Sequence, residues 1–97
     1  MDRTPIIKSC LEERKENLKQ LQEKYSQLET DCEKAFIEEK MYEKLLERYG
    51  SGYTDTFSDK QKTYKEKRDA FEKEIASLKY EIKILEKEIE YLEELLN

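Results

Sequence analysis

Three features of this 97-residue chain have the residue types that chemistry needs: the thiols Cys10 and Cys32, the oppositely charged Glu39 and Arg68, and the run "DKQKTYKEKR" from Asp59 to Arg68. A structural metal site takes four Cys or His ligands, and the chain has two cysteines and no histidine. Placed on one helix, the two thiols lie roughly 33 Å apart, far beyond disulfide reach. They read as free thiols of a reducing compartment. Carboxylates are abundant, but a general acid needs a desolvated pocket, which a solvated helix face does not supply. No Gly-rich phosphate loop or calcium-loop spacing occurs. The expectation is a non-enzyme with no cofactor, no metal and no small-molecule substrate.

The basic run is the one feature that points to a ligand. Lys60, Lys62, Lys65, Lys67 and Arg68 surround Tyr64, close to Tyr53 and Phe57. Cations interleaved with aromatic rings suit a polyanion: nucleic acid, an anionic membrane or an acidic filament surface. The competing reading pairs these lysines with Glu38 and Glu43 inside the protein. A net charge of −5 with both signs intermixed along the chain argues against nucleic acid as the general partner. No apolar run is long enough to span a bilayer, and "MDRTPIIKSC" lacks the apolar core of a signal peptide. A cytoplasmic or nuclear home is expected, with membrane association disfavoured.

The elements that position these residues are helical. Only Gly50, Gly52 and Pro5 interrupt a Glu/Lys/Leu-rich composition, too few breakers for a small β or α/β domain. Thr4 reads as an N-cap and Pro5 as the first helical residue. Gly50 follows Leu46 and Tyr49 where a left-handed C-cap belongs, and Ser58 with Gln61 fits a capping box. A single domain is therefore expected over 1–97, with a helix over about 5–49, a turn over about 50–57 and a helix over about 58–96.

Both helical stretches carry a sustained heptad. In the second, Gln61, Arg68, Ile75, Ile82, Ile89 and Leu96 take position a, and Phe57, Tyr64, Phe71, Leu78, Leu85 and Leu92 take d. In the first, Leu11, Leu18, Tyr25, Cys32, Glu39 and Leu46 take a, and Ile7, Arg14, Leu21, Leu28, Ala35, Tyr42 and Tyr49 take d. A parallel homodimer of the second stretch would set Glu81 against Glu86, Glu88 against Glu93 and Lys60 against Lys65. Folding the chain on itself instead pairs Lys24 with Glu81, Glu38 with Lys67, Glu43 with Lys65, Glu29 with Lys79 and Lys15 with Glu93. Such pairs select register and orientation more than they stabilise. The expected fold is all-α: an antiparallel two-helix coiled-coil hairpin, completed to a four-helix bundle by dimerisation or a partner. Glu39 and Arg68 are expected to form an ion pair within the seam, fixing register at some cost in stability. An open chain in one long parallel coil is the alternative.

Off the seam, Phe36, Ile37, Met41 and Leu45 form one apolar patch, and Tyr80, Ile84, Tyr91 and Leu95 another. Aligned surface apolars of this kind mark interfaces. The function expected is a non-enzymatic coiled-coil interaction and assembly module, part of a scaffold, cytoskeletal or tethering assembly. Its partner is a second copy, most simply as a dimer, or another helical protein. Polyanion binding by the segment 59–68 is the alternative function.

Overall fold

A computed structural model describes residues 2–97. It contains one helical element, α1, running Thr4–Leu96. This corrects the expected two-helix antiparallel hairpin and its completion to a four-helix bundle: no second helix starts near residue 58, and no loop occupies 50–57. The physical reason lies at the glycines. Neither Gly50 nor Gly52 takes the positive φ that a left-handed C-cap requires. Both remain in α1, and the backbone leaves helical geometry only at Tyr49 (φ −127°, ψ 17°) and Tyr53 (φ −135°, ψ 18°). The expected capping box at Ser58 and Gln61 has no helix start to serve, since both residues lie inside α1. Threonine hydroxyls nearby bond back along the helix: Thr54 Oγ1 donates to the Gly50 carbonyl, and Thr63 Oγ1 to the Asp59 carbonyl at 2.9 Å.

The start of α1 also differs in detail. Thr4 is its first residue, not its cap, and Arg3 at the cap position contributes no side-chain bond. Asp2 does that work: its Oδ1 accepts from the Thr4 amide at 3.0 Å. This bond to the ionised form pulls the Asp2 carboxyl below its ordinary value.

The chain divides into two compact units. One comprises residues 1–26 and 76–97, the other 27–75. In the first, Leu11, Leu78 and Ile89 are buried, and Leu18, Leu21, Ile82, Leu85 and Leu92 are half-buried. Arg14 Nε donates to Glu88 Oε2 at 3.4 Å, and Lys15 Nζ stands 3.4 Å from Glu93 Oε1. The Lys79 ammonium lies over the Tyr25 ring, 6.0 Å from its centroid.

In the second unit Leu28, Ala35 and Glu39 are buried, with Leu46, Phe71 and Ile75 half-buried. Glu39 and Arg68 are 29 positions apart, roughly 43 Å along a straight helix, yet their side chains meet at 2.6 Å. The element is therefore bent between them, and Tyr49 and Tyr53 are where its backbone departs from the helix. Tyr42 stacks on Tyr64 with centroids 5.7 Å apart, and Phe57 closes the cluster at 6.1 Å from Tyr42 and 5.6 Å from Tyr53. Aromatic pairs at such distances add to what area burial alone contributes.

Candidate interaction surfaces

Every a and d position named from the sequence is buried or half-buried, apart from the exposed Tyr49. Most of the residues between them are exposed, with Cys10, Asp31, Glu38, Glu43, Leu45, Gly50 and Glu88 half-buried. Seven of the eight expected interface residues are exposed: Phe36, Ile37 and Met41 in the second unit, and Tyr80, Ile84, Tyr91 and Leu95 in the first, at 38 to 68%. Leu45 is half-buried, which narrows the first patch to three residues. Phe36 is also partly engaged, since the Arg68 guanidinium lies 5.5 Å from its ring centroid and the Lys40 ammonium 5.6 Å.

The charges sort differently from the sequence expectation. Of the five expected ion pairs only Lys15–Glu93 forms among the described residues. Lys67 sits over the Tyr64 ring at 5.0 Å instead of meeting Glu38, and Lys60 over the Tyr42 ring at 5.6 Å. The negative charge of Glu38, followed by partial burial, pushes the Tyr64 phenol above the usual tyrosine value. Glu43 is taken by Lys40, its neighbour along the helix, at 3.0 Å. Lys62 and Lys65 are left exposed and form no ion pair among the described residues. Hydrated lysines on long stems gain little from distant carboxylates, whereas a ring face next to the stem costs less side-chain entropy to reach.

Arg68 behaves otherwise because its planar fork is held. Nη1 donates to Glu39 Oε2 at 2.6 Å, Nη2 stands 3.7 Å from Asp69 Oδ1, and Nε lies 3.9 Å from Glu72 Oε1, beyond hydrogen-bond reach. That Nε is buried without a hydrogen-bond partner. The Arg68 carbonyl is 3.9 Å from Cys32 Sγ, which donates to it. Burial first, and then the Glu72 charge, push the Cys32 thiol up, while Arg68 opposes them. A raised thiol is a poorer nucleophile at neutral pH.

No protein-family model, curated protein or solved structure matches this chain. Among the described residues no group of three or more His, Cys, Asp or Glu side chains is placed to hold a metal ion, and no helix is long and apolar enough to cross a membrane.

One feature of the surfaces escaped the sequence reading. On the outward row of 34–48, spaced three and four apart, Ile37 and Met41 alternate with Lys34, Lys44 and Arg48. Along 80–95, six glutamates stand beside the apolar stripe against Lys83 and Lys87. Extending the same helical spacing from apolar to charged residues would have found both rows. Ile6 is a further exposed apolar side chain that no expectation covered.

Proposed function

We propose that this chain is a non-enzymatic coiled-coil protein-interaction module, and that it assembles through the outward apolar faces of its helical element. The carrying observation is the exposure of Ile37, Met41, Tyr80, Ile84, Tyr91 and Leu95 on the sides away from the buried seam residues. Apolar side chains aligned at helical spacing offer a groove or ridge to another helix. The buried charges support the same reading: Glu39 and Arg68 are spent on each other, and the Cys32 thiol is raised, so neither is tuned for catalysis. A scaffold, cytoskeletal or tethering assembly in the cytoplasm or nucleus is the setting this reading favours. The test compares affinity capture by the full chain and by an Ile37→Glu/Ile84→Glu variant whose helix content and melting are unchanged. Loss of a helical partner, or of the chain's own second copy, with the variant supports the module; identical captures overturn it.

A second reading has its own observation. Lys62 and Lys65 are exposed without carboxylate partners, and Lys60 and Lys67 occupy ring faces that a ligand's anion can approach. The segment 59–68 therefore retains a positive field suited to a polyanion. Retention on heparin that falls steeply with salt, and disappears in a Lys62→Glu/Lys65→Glu variant, supports it. Passage through the column at low salt sinks it.

A further inference from the structure

The two outward faces differ in charge once internal pairing is taken out, and the difference names an occupant. In 34–48 three of the four carboxylates are engaged inside their own unit, Glu39 by Arg68, Glu43 by Lys40 and Glu47 by Lys44, and the fourth, Glu38, is half-buried beside the Tyr64 phenol. Lys34 and Arg48 form no ion pair among the described residues. They flank Ile37 and Met41 on the same row, so this face presents apolar surface between two free cations. In 80–95, Glu88 is engaged by Arg14, Glu93 by Lys15 and Glu90 by Lys87. Glu81, Glu86 and Glu94 form no ion pair among the described residues, and of the two lysines only Lys83 stays free to offset them. Glu81 and Glu94 border Tyr80, Ile84, Tyr91 and Leu95, so this face presents apolar surface beside free carboxylates.

We infer that the occupant of each face is a second copy of this chain: the basic-apolar face of 34–48 in one copy docks on the acidic-apolar face of 80–95 in another. This rests on the protein-interaction reading above and deepens it by naming the partner. Apolar contact supplies the attraction, and the unpaired charges choose the face and its direction. A copy meeting its like face would set Arg48 and Lys34 against cations, or Glu81 and Glu94 against carboxylates, and is disfavoured.

The experiment is sedimentation or light scattering of the full purified chain over a concentration series at low and high salt. The expected mass is that of a dimer or larger species, with association weakened by salt. Lys34→Glu/Arg48→Glu is expected to weaken it about tenfold or more, and Glu81→Lys/Glu94→Lys likewise. All four substitutions in one chain restore it, because the faces exchange signs together. Circular dichroism checks each variant, and the salt series on the unaltered chain gives an answer even if a variant fails to fold. A monomer at every concentration overturns the inference, as does association indifferent to salt or a fourfold variant that stays weak. A monomer whose capture of another helical protein still depends on Ile37 and Ile84 removes the second copy but leaves the interaction module standing.

Discussion

Arg68 Nη1 donates to Glu39 Oε2 at 2.6 Å from side chains only 19% and 7% exposed. These two residues sit at seam positions that would otherwise be apolar, so their pairing replaces water that neither can recover. Removing one partner strands the other charge. Glu39→Ala or Arg68→Ala is expected to destabilise the chain toward the low end of about 3 to 5 kcal/mol, since Arg68 keeps some solvent contact. Glu39→Leu with Arg68→Leu is expected to return stability to the level of the unaltered chain or above. Urea unfolding of the three variants decides this; equal losses in the single and double variants would show that the pair itself, and not the stranding of one charge, carries the stability.

Gly50→Ala and Gly52→Ala are expected to stabilise, each by about 0.4 to 1 kcal/mol. Both glycines lie in α1 at negative φ. A Cβ on Gly50 meets only Thr54 Oγ1 at 3.8 Å and Leu46 Cδ1 at 3.9 Å, and one on Gly52 meets nothing within 4 Å. Thermal melting measures the shift. A loss at either position would mean that the glycine takes a left-handed conformation after all.

Leu78→Ala and Ile37→Ala should separate structure from surface. Leu78 is buried, and its truncation is expected to cost about 2 to 5 kcal/mol. Ile37 is exposed, and its truncation should leave the stability of the isolated chain within about 0.5 kcal/mol. Chemical denaturation of the two variants side by side gives both values.

Tyr64 should ionise later than a free phenol, because deprotonation would put a second negative charge beside Glu38 on a half-buried ring. The folded chain keeps this proton to higher pH than the unfolded chain does. Its contribution is therefore whole below the unfolded value of about 10 and is lost as pH rises through the folded value. Carbon-13 chemical shifts of ring-labelled tyrosine follow the titration. Glu38→Gln is expected to bring Tyr64 down; no change on that substitution would remove Glu38 as the cause.

Burial at individual positions was legible where it follows the backbone's own period: Leu11, Leu28, Leu78 and Ile89 are apolar at heptad spacing, and the structure buries them. Glu39 and Arg68 could be paired from sequence because two opposite charges on an apolar stripe have nowhere else to go. Exposed charges lack that constraint. Lys67 has a ring and a carboxylate within similar reach, and spacing alone cannot say that the ring of Tyr64 wins. The turn was misread for a related reason. Two glycines allow a left-handed cap without requiring one, and the hydroxyls of Thr54 and Thr63 bond back to carbonyls four residues earlier within the same helix. The outward charge rows went unread because pairing was counted only across the seam, so the carboxylates consumed by Lys40 and Lys44 were still treated as available.

Among the described residues the buried set is thin: Leu11, Leu28, Ala35, Leu78 and Ile89 are its apolar members, and no large side chain is fully enclosed. Unfolding such a chain wets comparatively little new hydrocarbon, so its heat-capacity increment should fall below the usual 12 to 15 cal/mol/K per residue. The stability curve is then shallow, with a broad melting transition on scanning calorimetry and a cold limit pushed further below freezing. A partner that covers the outward faces would add hydrocarbon to the interior, and calorimetry would register its arrival as a sharper, taller peak.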